Sequence, residues 1–341
     1  MNIQPELQSE LQQTIQDMVD DHRGILAADE SHPTIASRFE PYNVEPGEET
    51  RRTWRSLLLT TPKLGEFISG VILFDETLGQ KDDTGTNLVD VAWSQKIVTG
   101  VKVDKGTGPL SGAPGDLITR GLDGLGERLA AYKAQGARFA KWREVYPVTA
   151  TNPTLLGCQA NAEVLARYAA ICQELGVVPI VEPEVLMDGD HDIDRCAAVT
   201  EQVLDAVFNA LRLHRVSLEL MLLKPNMVLP GKACRQAEPA EVAEATLKVL
   251  RRAVPAAVPS INFLSGGQGA EEATANLNAI NKLSGKVPWQ LSLSYGRALQ
   301  QPALEAWRGK VENREVAQQA LLMRARLNSL ARKGEYDSSM Q

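Results

Sequence analysis

Eight short runs rich in Val, Ile and Leu, at residues 24–28, 70–74, 97–103, 138–142, 177–181, 219–223, 260–264 and 290–294, alternate with longer amphipathic stretches. Apolar runs too short for helices, separated by segments with apolar residues three and four positions apart, are the pattern of βα units. The helical stretches at 127–135, 160–175, 195–211, 239–252 and 270–281 supply the crossovers that parallel strands require. Eight such units close most naturally into an α/β fold of the TIM-barrel, (β/α)8, type. An open doubly wound sheet competes, but its G-x-G-x-x-G turn after the first strand is absent, because residues 24–30 run straight into polar side chains. The expectation is one domain over residues 1–341, with the barrel at about 24–300 and a C-terminal helical segment at about 301–341. Leu7, Leu11, Ile15 and Met18 form a stripe ahead of the barrel, and Val316, Ala320, Met323, Leu327 and Leu330 form one after it, which predicts a packing helix on each flank.

Charge and cysteine usage narrow the partners. With 36 Lys+Arg against 43 Asp+Glu the formal net charge is −7, so no uniform basic surface recruits nucleic acid. The uncharged run at 254–270 contains Pro255, Pro259 and three glycines, Gly266, Gly267 and Gly269, which excludes it as a membrane helix. Cys158, Cys172, Cys196 and Cys234 are widely spaced and form no C-x-x-C, which points to a reducing compartment. The first 21 residues hold no Lys or Arg and no apolar core of a signal peptide, so the expected location is cytoplasmic.

In a barrel of this kind the reactive groups stand at the C-terminal strand ends. Here those ends carry Asp29 and Glu30, Lys102 and Asp104, Lys141 and Arg143, Glu182 and Glu184, Lys224, the segment Ser265-Gly266-Gly267-Gln268, and Tyr295 with Arg297. Side chains alternate along a strand, so Lys102 with Asp104, Lys141 with Arg143, and Glu182 with Glu184 each point the same way. A solvated polar rim explains one lone lysine; lysines and carboxylates converging from many strands imply a task. A lysine after the apolar run Leu220-Met221-Leu222-Leu223 invites Schiff-base chemistry. The amine must be neutral to attack a carbonyl, and an unperturbed lysine is neutral only roughly 0.04% of the time at pH 7. Burial and the cation Lys141, two strands away, favour the neutral form of Lys224, and Glu182 on the adjacent strand can shuttle the protons. Ser265-Gly266-Gly267, just before a helix, and Arg297 in the next strand's loop suit a phosphate. Asp188, Asp190, His191, Asp192 and Asp194 have the look of metal ligands, but their spacing lacks the rest of an EF-hand, and a solvated acidic loop is the better reading.

The segments GILAADES at 24–31, VKVDKG at 101–106, FAKWR at 139–143, PIVEPEV at 179–185, LLKPNM at 222–227, FLSGGQ at 263–268 and SYGRALQ at 294–300 resemble class I fructose-bisphosphate aldolase, and the similarity runs from about residue 7 to 336. The resemblance implies reversible cleavage of fructose 1,6-bisphosphate to dihydroxyacetone phosphate and glyceraldehyde 3-phosphate, with no metal and no cofactor, in a homo-oligomer, usually a tetramer. It implies Lys224 as the Schiff-base lysine, Glu182 as the acid/base that dehydrates the carbinolamine, Asp29 as the base for carbon–carbon cleavage, Lys141 as a charge stabiliser and Glu184 as a helper near the imine nitrogen. Ser265, Gly266, Gly267, Gly296 and Arg297 are implied at the phosphate of the ketose's first carbon, and Lys102, Ser31, Arg38 and Arg143 as further substrate contacts. A silent phosphosugar-binding protein has no need of Lys224, Glu182 and Asp29 together, a metal-dependent aldolase needs histidine ligands, and a transaldolase is not expected to carry both phosphate sites.

Three departures from the family pattern stand out. Where the family has T-G-S-I-A-K-R, this chain has His32-Pro33-Thr34-Ile35-Ala36-Ser37-Arg38, which removes a lysine near the distal phosphate; where it has F-H-E-T, this chain has Phe74-Asp75-Glu76-Thr77. The animal and plant enzymes also continue past the position of Tyr336 to a terminal tyrosine. Residues 337–341 carry no phenol here, so protonation of the enamine is expected to fall to another group.

Overall fold

Along each barrel strand one parity of side chains packs outward against helices and the other packs inward. The computed structural model, which describes residues 3–19 and 22–341, forms ten strands among them. They are β1 (Gly24–Ala28), β2 (Ile68–Leu73), β3 (Val98–Lys102), β4 (Thr107–Pro109), β5 (Leu117–Thr119), β6 (Phe139–Tyr146), β7 (Val178–Val185), β8 (Leu222–Leu223), β9 (Ser260–Phe263) and β10 (Gln290–Tyr295). β1, β2, β3, β6, β7, β8, β9 and β10 close in that order into an all-parallel barrel. β4 and β5 form a separate antiparallel hairpin that no apolar run had indicated, since its three-residue strands carry Gly108 and Pro109.

The outward parity includes Leu26, Val71, Leu73, Val101, Trp142, Val181, Leu223, Ile261 and Leu293, all in one large core beneath the helices. Inside the barrel, Ile25, Ala27, Ile72, Val98, Phe139, Val178, Ile180, Leu220 and Leu222 fill a smaller core. The helix Pro5–Met18 closes the floor of that inner core with Leu11 and Met18, while Leu7 and Ile15 of the same stripe are half-buried.

Two expectations need correction. The sixth run forms only the two-residue β8, because residues Leu218–Leu220 tighten into a 3₁₀ turn first. The helix Arg314–Arg332 packs through Ala317, Leu321, Ala325 and Asn328, whereas Val316 and Met323 of the expected stripe are exposed. Its buried face includes polar groups that an apolar count passes over: Arg324 donates to the Ala270 carbonyl at 2.6 Å, and Asn328 Oδ1 accepts from the Thr274 hydroxyl at 3.0 Å.

Candidate active site

The inward parity that fills the floor with Ala27, Phe139, Ile180 and Leu222 arrives two residues later at Asp29, Lys141, Glu182 and Lys224. The barrel interior thus changes from apolar to ionic within one step of the pleat. Register aligns the steps: Lys102 of β3 pairs with Lys141 of β6, and Arg143 of β6 pairs with Glu182 of β7.

Lys141 Nζ lies 2.8 Å from Asp29 Oδ2 and 3.1 Å from Glu182 Oε2, and Lys224 Nζ lies 3.1 Å from Glu182 Oε1. Two ammonium groups and two carboxylates therefore alternate across the barrel mouth, with Lys141, Glu182 and Lys224 almost wholly buried. Burial alone would raise the Asp29 pKa, but the Lys141 and Lys224 ammonium groups outweigh it and hold the carboxyl well below the usual carboxylate range. For Lys141, burial works against the charged form, yet Asp29 and Glu182 prevail and raise its pKa. Asp29 is thus an anion and Lys141 a cation across the neutral range. Glu182 Oε2 makes no aligned hydrogen bond among the described residues despite the nearby ammonium, which leaves a buried acceptor aimed at the cavity.

A second ring surrounds these four. Arg143 is paired with Glu184, Lys102 with Asp104, and Glu30 with both Arg38 and Arg55. Burial pushes the Glu30 carboxyl up, and the two guanidinium groups more than reverse it, so Glu30 is an anchor for Arg38 at the rim. Gln300 joins this anchor, donating to Glu30 Oε1 at 2.8 Å and accepting from Trp54 Nε1 at 3.1 Å.

The loop after β9 turns at Gly267, whose φ of +81° favours glycine. At Gly266 a Cβ would stand 2.5 Å from Glu184 Oε1, so a larger residue there would displace that carboxylate. The helix Ala270–Ser284 starts three residues beyond Gly267, and the helix Arg297–Trp307 starts directly after Gly296, so the loop leads into one positive helix end and Gly296 and Arg297, at a second, line the same cavity. Arg297 makes one long bond, 3.4 Å to the Gln268 carbonyl, and among the described residues it is the cavity's one cationic side chain with no carboxylate within ion-pair distance.

A cavity of about 630 Å³ unites both rings and the loop. Asp29, Lys141, Glu182, Glu184, Lys224, Lys102, Ser31, Arg38, Arg143, Ser265, Gly266, Gly267, Gly296 and Arg297, every residue that the resemblance implied, line it, whereas Asp104 and Gln268 of the other strand ends do not. Tyr295 does not, although it ends β10: it has the outward parity of Leu291 and Leu293, and its hydroxyl donates to the Ala273 carbonyl at 2.9 Å. Ser294, one residue earlier, faces the cavity instead, with a buried hydroxyl that has no partner among the described residues. Met187, Asp188 and Lys232 also line the cavity; they sit on irregular loops after β7 and β8, where no periodicity marks a direction.

Ser37 faces the cavity with its hydroxyl donating to the Thr34 carbonyl at 2.8 Å, so position 37 presents no cation to the cavity. The two exchanged positions at 32 and 75 are neighbours: His32 Nε2 lies 3.1 Å from Glu76 Oε2 and its ring packs on Phe74, so an imidazole still stands beside the end of β2. Tyr336 is buried against the helix Ala270–Ser284, its N–H donating to Asn278 at 3.0 Å, away from the residues that line the cavity. In the acidic loop, Asp188 pairs with Lys232 and Asp192 caps the helix Ile193–Leu213. No group of three or more His, Cys, Asp or Glu among the described residues could hold a metal ion. No helix among them is long and apolar enough to cross a membrane, and the four cysteines are unpaired.

Buried amines beside carboxylates at a barrel mouth, with a glycine loop and an arginine to one side, suit an enzyme for a phosphorylated carbonyl substrate. The sequence profile described as fructose-bisphosphate aldolase class-I matches residues 10–341. Similar proteins include the cytosolic fructose-bisphosphate aldolase 6 of Arabidopsis thaliana, 56% identical over 92% of this chain and 88% of its own length. Fructose-bisphosphate aldolase B of Gallus gallus is 51% identical over 99% and 93%. A solved structure of fructose-bisphosphate aldolase from Plasmodium falciparum, in complex with TRAP and a small-molecule inhibitor, superposes with a TM-score of 0.97 at 48% identity, covering 99% of this chain and 98% of that one. The chain belongs to the class I fructose-bisphosphate aldolase family, the lyases that reversibly cleave fructose 1,6-bisphosphate through a lysine Schiff base.

Proposed function

We propose that Lys224 forms the Schiff base, and the observation that carries this is the Glu182 carboxylate lying 3.1 Å from both the Lys224 and the Lys141 ammonium groups. At rest Lys224 is ion-paired, so it becomes a nucleophile only as its proton passes to Glu182. The free amine attacks the C2 carbonyl of fructose 1,6-bisphosphate, Lys141 stabilises the oxygen charge that develops, and a proton passes from the attacking nitrogen to that oxygen to give the neutral carbinolamine. Glu182 returns its proton to the carbinolamine hydroxyl, which leaves as water, and the iminium remains on Lys224. Asp29 then takes the proton of the C4 hydroxyl; the C3–C4 bond breaks, its electron pair moves to the iminium as an enamine, and glyceraldehyde 3-phosphate departs. Protonation of the enamine carbon and hydrolysis release dihydroxyacetone phosphate. Glu184 assists near the imine nitrogen. Ser265, Gly266, Gly267, Gly296 and Arg297 hold the phosphate of the first carbon, while Lys102, Ser31, Arg38 and Arg143 bind the remainder.

Residues 1–341 act as one barrel unit in this reading. Assembly into a homotetramer and a cytoplasmic location are supported by the family and by relatives named cytosolic or cytoplasmic. Borohydride added with dihydroxyacetone phosphate is expected to fix one adduct per chain, on Lys224, by mass spectrometry. An adduct on any other lysine, or none, would overturn the assignment.

A further inference from the structure

The glycine loop has a second cation beside it. Lys232 reaches the cavity from the loop after β8, held by its own backbone N–H, which donates to the Met187 carbonyl at 2.8 Å. Its stem lies across the loop: Cε is 3.1 Å from where a Cβ on Gly267 would stand. Its Nζ sits 2.9 Å from Asp188 Oδ1, and both side chains are open to solvent, at 54% and 71% exposure. The other carboxylate-paired cations of the cavity are at most 40% exposed. An exposed pair of this kind is held weakly and screened by salt, so its ammonium group is easily drawn to a more highly charged anion.

We propose that Lys232 is a specificity-determining residue that leaves Asp188 to contact the substrate phosphate at the Gly266–Gly267 loop, with Asp188 competing for it and so setting how much anionic charge is needed to recruit it. The proposal rests on the reading that this loop holds the phosphate of the first carbon. A phosphate dianion outcompetes the single charge of Asp188, whereas a neutral hydroxymethyl group leaves the pair closed. Lys232 thereby selects for phosphorylation at that carbon without touching the reacting atoms. The two partners have opposite effects: the lysine aids binding, and the aspartate opposes it.

The test compares steady-state kinetics of Lys232→Met, Lys232→Arg, Asp188→Asn and Arg297→Met on fructose 1,6-bisphosphate and fructose 1-phosphate. Lys232→Met is expected to raise KM for both substrates by about tenfold, the usual worth of one charge-assisted contact, with kcat nearly unchanged. Lys232→Arg should recover most of that loss, and Asp188→Asn should lower KM for both. If Lys232→Met and Asp188→Asn shift KM in the same direction, the pair is structural and the proposal fails. A loss confined to the bisphosphate would place Lys232 at the other phosphate and equally overturn it. If Arg297→Met raises KM for fructose 1-phosphate while Lys232→Met leaves it unchanged, the loop reading stands and this inference alone falls. If neither variant changes it, both fall.

Discussion

Glu182 and Asp29 flank the same ammonium group but have different neighbours. Glu182 also touches Lys224, whereas Asp29 contacts only Lys141 within ion-pair distance among the described residues. In the proposed mechanism the proton work of imine formation therefore falls to Glu182, and Asp29, held ionised by the two lysines, is kept for a later step. Glu182→Gln is expected to slow imine formation by roughly 10² to 10⁴, the range for a lost general acid/base. Asp29→Asn should form the imine and then stall before the carbon–carbon bond breaks. Rapid-quench single turnovers with borohydride separate the two, and an Asp29→Asn enzyme that releases aldehyde at the normal rate would remove Asp29 from its assigned role.

At the scale of single elements, the strand ends work because the strands beneath them are locked in register. Gly100 of β3 pairs with Phe139 of β6, and a Cβ at Gly100 would fall 2.3 Å from the Phe139 ring carbons. The ring fills the space the glycine leaves, and Lys102 and Lys141 stand two residues further along the same two strands. Gly100→Ala should cost about 1–3 kcal/mol by overpacking, read as a lower denaturant midpoint, and should lower kcat as the strands shift. Adding Phe139→Leu should recover part of the stability; no recovery would mean that the ring is not the cause. Where the structure departs from the sequence reading, the apolar period is weak. The β4–β5 hairpin is too short for one, β8 is curtailed by a 3₁₀ turn, and the helix Arg314–Arg332 buries Arg324 and Asn328 where a hydrophobic residue was expected.

For the whole molecule, the ionic layer predicts how stability depends on pH. Asp29 has a lowered pKa in the folded state, so its contribution is present above the ordinary carboxylate pKa and lost only as pH falls through the lower folded value. Lys141 has a raised pKa, so its contribution is complete below the ordinary lysine value and lost as pH rises through the folded one. Neither changes between about pH 5 and 9. Glu144 does: burial raises it from 4.5 to about 8, even though it accepts hydrogen bonds from Trp142 Nε1 at 2.8 Å and the Thr119 N–H at 3.1 Å. The unfolded chain gives up that proton at the lower pH, so stability should fall as pH rises from 4.5 to about 8 and level off beyond. Melting temperatures across this window should decline in the parent protein by a few degrees and stay flatter in Glu144→Gln. Equal slopes would show that Glu144 is not the titrating group.

Period-two alternation and the order of apolar runs were enough to establish the barrel, and with it the mouth at which Asp29, Lys141, Glu182 and Lys224 had to gather, because backbone geometry makes both properties local. The resemblance of LLKPNM, FLSGGQ and SYGRALQ to a known family supplied the substrate, which spacing cannot encode. What only the tertiary structure decided was pairing across the closed barrel: that Glu182 bridges two lysines, that Arg297 is left without a carboxylate among the described residues, and that Lys232 lies across Gly267. Those contacts join strands and loops far apart in the chain, and their distances depend on barrel closure and loop packing, which no local pattern of residues records.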